Sequence, residues 1–360
     1  MKMPVKILFI QNQLCARGWK EAKVLTEAGV DIDLLELGKP SEFMDYSIFK
    51  DSHNIPVGAD IGSMIRNRKR IKTEIRDFAA GRDYDIAHVH NEPDNLGVWT
   101  KKNLPIPVVH DIHDLVSLKP ITWARGPKKW FVRSLVNRWE GYVCRKADGI
   151  MSTSSLMIEH IWKRYGTKNI GYVENKPLKE KFELAEKIDD GKVHFVYPGG
   201  ISLDPGGSRY LWSMFESICA MGFNVHLYPP VFEPGRQEII RKRCSGVSGL
   251  HYHLPVAQNK VIREISKYHY GLVLFSSFTK NILMATSNRV YEYQIAGIPV
   301  ITNDIGHIGD YVKKKKCGEV IGDPGEIKKL ISGGREYNLD TNDCFMDAKP
   351  ILDLYSKIIA

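Results

Sequence analysis

Residues 287–304, SNRVYEYQIAGIPVITND, change periodicity halfway along. Ser287–Ala296 reads as a helix. Gly297 suits a helix C-terminus, and Pro299 suits the chain just beyond, where no helix can continue. Ile298–Thr302 is then a short apolar run of the kind that forms a buried strand. A helix that ends on glycine and passes directly into a core strand is one step of an alternating α/β chain.

The same step recurs on both sides. C-terminal to it, helices are expected at Glu326–Ser332 and Thr341–Ile359. N-terminal to it lie the strand Gly271–Phe275, the helices Asn259–Lys267 and Glu238–Arg243, the strand Asn224–Tyr228, the helix Tyr210–Met221 and the strand Val193–Tyr197. Before these comes ENKPLKEKFELAEKIDDGK at 174–192, charged and carrying Pro177, with the composition of a linker. An earlier series precedes it. Strands are expected at Val5–Gln11, Asp31–Leu37, Asp85–Val89, Pro107–His110, Gly149–Ser152 and Ile170–Val173. Helical segments at Gly18–Ala28, Ile61–Ala80, Gly126–Lys146 and Ser155–Tyr165 separate them, and Gly38–Asp60 reads as a polar, turn-rich stretch. Strands spaced by helices imply parallel sheets with right-handed crossovers. The fold class is therefore α/β, with two Rossmann-like, doubly wound parallel-sheet domains facing across a cleft. The division expected is 1–175, a linker at 176–192, 193–345, and a closing helix at 346–360 that packs back toward the first domain. Ligands of such sheets bind at the carboxyl ends of the strands, so the chemistry is sought immediately after strands.

Bulk properties agree. A chain of 360 residues with 43% hydrophobic content is long enough for two cores. No apolar run reaches the roughly 20 residues of a membrane helix. The opening MKMPVKILFIQ has too short an apolar stretch for a signal peptide and reads as a first strand, which points to a protein that stays in the cytoplasm. The six cysteines are dispersed without a C-x-x-C pair, which argues against structural zinc and for a reducing compartment. The net charge of +9 is uneven: residues 61–146 hold 17 Lys/Arg against 9 Asp/Glu. That is a statement about partners rather than fold.

Five segments in order resemble the GT-B glycosyltransferases, and among them the retaining glycosyltransferase family 4. They are DIAHVHN at 85–91, PVVHDIHDLVSL at 107–118, ADGIMSTSSLMIEHIWKRYG at 147–166, VHFVYPGGIS at 193–202 and SNRVYEYQIAGIPVITND at 287–304. The resemblance implies a nucleotide-sugar-dependent transferase that needs neither cofactor nor metal. In it the helix bearing Glu292 lies under the donor nucleotide, and Glu292 accepts from the ribose hydroxyls. The alternative is a solvated helix glutamate paired with Arg289. The family pattern has a second glutamate eight positions earlier, where this chain has Met284, and an Arg and a Lys after the first strand of the second domain, where this chain has YPGGISLDPGGSRY. Gly199, Gly200 and Ser202 then either cradle phosphate with backbone N–H groups or make a plain turn. Arg209, Lys280, Arg289 and its neighbour Asn288 are the remaining donor-side candidates. Gly18, after the first strand, either lets backbone approach the donor or simply starts a helix.

By the same resemblance His113, at the end of PVVHDI, sits against the transferred sugar, with Asp111 or Asp114 to orient it; the alternative is a strand-end histidine satisfied by backbone. His90, Asn91 and Glu92 fall on the acceptor side. The histidines at 88, 90, 110 and 113 show no metal-site spacing, and no metal is assigned to them. Asp31-Ile32-Asp33 has the D-x-D form of other transferases but lies in an alternating strand. The basic region carries TWARGPKKWFVRSLVNRW at 122–139, where Trp123, Trp130, Phe131, Leu135 and Trp139 mix with Lys128, Lys129, Arg133 and Arg138. It is either an interfacial anchor at an anionic membrane surface, serving a lipid-linked or glycan acceptor, or a helix packing its aromatics on the domain. No nucleic-acid-binding motif is present. The competing functions are a GT-B-fold sugar-nucleotide epimerase and a non-catalytic partner protein.

Overall fold

The structure, a computed structural model, describes residues 5–41, 44–58, 60–91, 93–121, 125–230 and 234–359. It contains two compact units, Met1–Leu178 with Met346–Ala360, and Lys179–Phe345.

The first unit is built on strands β1 (Lys6–Gln11), β2 (Asp31–Leu37), β3 (Asp51–Ile55), β4 (Ile86–His90), β5 (Val108–Ile112), β6 (Gly149–Ser152) and β7 (Ile170–Tyr172). They form one parallel sheet in the order β3-β2-β1-β4-β5-β6-β7. The order reverses between β1 and β4, which opens a crevice at their carboxyl ends. Ile7, Phe9, Ile32, Leu34 and Ile86 form its core with Ile351 and Leu354 of the closing helix. That helix runs only from Lys349 to Ile359, not from Thr341. Asp347 caps it by accepting from the Lys349 N–H at 2.9 Å, and Pro350 needs no donor in the first turn. Residues 173–189 contain no helix or strand.

The second unit carries β8 (His194–Tyr197), β9 (Asn224–Leu227), β10 (Leu250–Tyr252), β11 (Tyr270–Val273), β12 (Val300–Asn303) and β13 (Gly318–Ile321). Its sheet, in the order β10-β9-β8-β11-β12-β13, is also parallel and reverses between β8 and β11. Strand alternation splits its core between two faces. Phe195 and Tyr197 pack with Trp212 and Phe215, while Val196 packs with Tyr293 and Val290. The segment 287–304 folds as helix Asn288–Ile295 followed by β12. Gly297 adopts φ +68°, its N–H donates to Gln294 O at 3.1 Å, and the Ile298 N–H donates to Tyr293 O at 3.0 Å. This Schellman-type stop needs a residue without a Cβ.

Candidate active site

In the first unit, helix Ala16–Glu27 follows β1 directly. It turns two charged side chains, Arg17 and Glu21, into the crevice, where they are 3% and 0% exposed. Charges survive burial only when paired and hydrogen-bonded. Arg17 forks onto Asp111 at the end of β5, Nε to Oδ2 at 2.8 Å and Nη2 to Oδ1 at 3.1 Å. Its Nη1 donates to Val173 O at 2.8 Å, and Nη2 lies 2.8 Å from Glu21 Oε1. His113 Nε2 lies 3.0 Å from Asp111 Oδ2 and 3.1 Å from His90 Nδ1. His88 and His90 stack with ring centroids 4.7 Å apart, and the Tyr355 hydroxyl of the closing helix meets His88 Nδ1 at 2.5 Å.

The electrostatics follow from this packing. Burial would raise the Asp111 carboxyl, yet Arg17 and His113 hold it well below the usual carboxylate range. Burial disfavours a charged His113, but Asp111 beside it raises that imidazole to about 10. Burial lowers His90 to about 4 and raises Glu21 to about 8. His113, with its side chain 18% exposed, is the member of the network that reaches the surface.

The residues singled out from the sequence fall as follows. His113 is oriented by Asp111. Asp114 pairs instead with Lys119 at 2.8 Å, which corrects its assignment beside the histidine. Asn91 accepts from the His113 N–H at 3.0 Å and donates to Asp114 O at 2.8 Å, so it fixes the turn after β5. His90 joins the network. His110 points to the other face of β5, 2.9 Å from Asp94. Glu92 and Trp123 lie outside the described residues. Gly18 is in the first helical turn, where a Cβ would come within 2.7 Å of the Gln11 carboxamide. Asp33 accepts from Tyr84 at 2.7 Å and Arg82 at 3.3 Å, while Asp31 pairs with Lys50 at 3.5 Å.

In the second unit the loop after β8 is shaped around Arg289. That side chain donates through Nε to Pro198 O at 2.7 Å and lies over the Tyr197 ring at 4.8 Å. A Cβ on Gly199 would fall 1.9 Å from Arg289 Nη2, and one on Gly200 3.1 Å from Arg209 Nη1. The two glycines therefore make room for arginines. Ser202 ties the loop, accepting from the Asp204 N–H at 3.1 Å. Asn288 opens the helix that carries Arg289. Glu292, one turn on, is 8% exposed and accepts from Gln258 Nε2 at 3.2 Å, so it is neither solvated nor paired as a surface glutamate would be. Lys280 is exposed on helix Lys280–Met284 and makes no ion pair among the described residues.

Along β8 and β9, His194 Nδ1 meets His226 Nε2 at 2.9 Å, and His226 Nδ1 meets His253 Nε2 at 2.8 Å. Burial lowers His226 to about 2.

Arg17, Glu21, Tyr355 and Gln258 are the members that sequence reading missed. Only the i,i+4 spacing of Arg17 and Glu21 left a signal, and Arg17 stands just ahead of the helix expected from Gly18.

Helix Gly126–Lys146 packs Val132 and Val136 against Ile121. Trp130 and Phe131 are 75% and 61% exposed, beside exposed Lys128 and Lys129. Arg133 is not part of that face; it donates to Lys119 O at 2.6 Å and to Ser117 O. A groove of about 780 Å³ in the same unit is lined by Asn12, Asp60, Arg66, Lys119, Lys128 and Phe131. No helix among the described residues is long and apolar enough to cross a membrane.

Residues 20–175 match the profile of Glycosyltransferase Family 4. No curated protein matches the sequence. Among solved structures, the chain is similar to a sucrose-phosphate synthase from Thermosynechococcus elongatus (TM-score 0.66, 12% identity, 99% of this chain and 95% of that one). It is also similar to a lipopolysaccharide outer core galactosyltransferase (0.65, 15%, 98% and 100%). A third similar structure is a putative UDP-N-acetylglucosamine 2-epimerase from Listeria monocytogenes (0.61, 13%, 99% and 95%). The two-sheet architecture is the GT-B fold, and it is the first unit that carries the match to Glycosyltransferase Family 4.

Proposed function

We propose that the protein is a glycosyltransferase that moves a sugar from a nucleotide-sugar donor to a glycan or lipid-linked acceptor, with retention and with no metal bridging the diphosphate. The observation that carries the reading is Glu292. It is a buried carboxylate with one hydrogen bond, from Gln258, and no cation within ion-pair distance among the described residues. A buried carboxylate needs more donors than that, and two ribose hydroxyls supply them. One turn earlier, Arg289 holds a positive charge under the Pro198–Gly200 turn for the diphosphate, and the backbone N–H groups of that turn add to it. His113 hydrogen-bonds a hydroxyl of the transferred sugar. The donor C1–O bond breaks and the acceptor oxygen bonds C1 on the same face. The acceptor proton passes to the departing phosphate oxygen, so no dedicated base is required. Glu292→Gln is expected to weaken donor nucleotide binding about 10–100-fold, the loss of one or two hydrogen bonds to a charged group. Thermal shift against UDP, GDP, dTDP and ADP measures this. Equal shifts in wild type and variant would remove Glu292 from the site.

The groove beside Lys128 and Phe131 suits an acceptor with an anionic and an apolar part, and Trp130 and Phe131 present an apolar pair flanked by lysines to an anionic bilayer. The chain is expected to co-sediment with vesicles containing anionic lipid at low salt. Trp130→Ala/Phe131→Ala should reduce that binding, and wild type left in the supernatant would sink the idea. An epimerase needs no such acceptor surface, which favours transfer.

A further inference from the structure

Three polar atoms in the crevice of the first unit face one another: Glu21 Oε2, His88 Nε2 and His90 Nε2. None has a hydrogen-bond partner among the described residues. Each imidazole nitrogen lies 3.9 Å from the Glu21 oxygen. The donor atoms of these three residues and of Asp111 all lie within 4.8 Å of one another. The residues are 0%, 0% and 1% exposed, so bulk water does not satisfy them. Leaving three such atoms unmade is costly.

The atoms on the far side of each group are already engaged. His88 Nδ1 meets the Tyr355 hydroxyl at 2.5 Å. His90 Nδ1 lies 3.1 Å from His113 Nε2 and 3.4 Å from Asp111 Oδ2. Glu21 Oε1 lies 2.8 Å from Arg17 Nη2. A histidine whose Nδ1 donates to an oxygen presents the Nε2 lone pair, which is how protein scaffolds orient histidine ligands toward a metal. Arg17 opposes a cation, but its fork is spent on Asp111, and a metal entering the site takes the place of the Glu21 proton.

We infer that Glu21, His88 and His90 form a binding site for a divalent first-row cation of the zinc class. Two imidazoles and one carboxylate, with a fourth position open, are a zinc donor set, with bonds of about 2.0–2.2 Å. Donors 3.9 Å apart reach such a point by closing in about half an ångström while the two stacked rings tilt toward it. The ion would pin helix Ala16–Glu27 to the end of β4 and hold His90, and through it His113. Histidine spacing alone did not reveal the site, because the third donor stands on a separate helix. The inference does not depend on the donor reading, and its readout is metal content.

The full chain, stripped with chelator and desalted, is titrated with Zn²⁺ and with Co²⁺. Metal content, thermal shift and the visible absorption of Co²⁺ are followed. We expect about one ion per chain, a melting temperature that rises with saturation, and a four-coordinate Co²⁺ spectrum. Glu21→Gln should lose stoichiometric binding while keeping its far-UV circular dichroism. Tyr355→Phe keeps all three ligands and should weaken binding about 10–100-fold. If Glu21→Gln fails to fold, Tyr355→Phe decides alone. Wild type that takes up no metal overturns the inference. So does wild-type affinity in both variants, which would move the ion elsewhere, for example to the His194–His226–His253 chain.

Discussion

Arg17→Met is expected to destabilise the protein by about 3–5 kcal/mol, the cost of breaking a buried ion pair by removing one partner. The variant leaves Asp111 without its bidentate partner and Glu21 without the guanidinium it faces, both fully buried. It also strands the Val173 carbonyl, which accepts from Arg17 Nη1 at 2.8 Å. Urea unfolding near neutral pH measures the loss. Arg17→Met/Asp111→Asn should recover part of it, because the uncompensated charge is then gone. A loss under about 1 kcal/mol, the worth of a surface pair, would show that the network does not hold the unit together as described.

The second large effect concerns turnover. His113→Ala is expected to lower kcat/KM by about 10–100-fold, the scale for losing one hydrogen bond between a charged group and the transferred sugar. Asp111 and Asn91 fix the position of His113, and its side chain alone in the network reaches solvent. Asp114→Ala removes the pair with Lys119 and leaves the Asp111–His113 contact in place, so it should leave kcat almost unchanged. Steady-state kinetics on the two variants, with the donor nucleotide identified by thermal shift, separate these roles. A large loss in Asp114→Ala with a small one in His113→Ala would reverse them.

The central strands were legible because they are apolar runs buried on both faces. β1, β4, β5, β11 and β12 all read this way. The strands that escaped, β3, β10 and β13, are edges of their sheets. DSHNI buries only Ile55, and LHY and GEVI bury one residue each. What makes them strands is pairing with a neighbour, which local composition does not carry. Helix Asn95–Asn103 escaped for the opposite reason. Its residues from Asn95 to Thr100 are all buried, so no polar face marks a helical period.

At the site, strand alternation already held an answer. Along HDIHD, Asp111 and His113 share one face and His110 takes the other, so period two favours Asp111 over Asp114 as the partner. Arg17 was hidden because its helix begins at Ala16, before the Gly18 where helical spacing was first read. Tyr355 comes from the far end of the chain, and only the tertiary fold brings it to His88.

The return of Met346–Ala360 to the first unit has a consequence for synthesis. A ribosome releases the closing helix only after every residue of the second unit. Until then Gly149 and Gly171 lack the Ile358 and Leu354 side chains that cover them, and His88 lacks Tyr355. The first unit thus begins to fold first and finishes last. A nascent chain stalled before Tyr355 holds an open crevice, and a complete crevice certifies that the second unit has already been made.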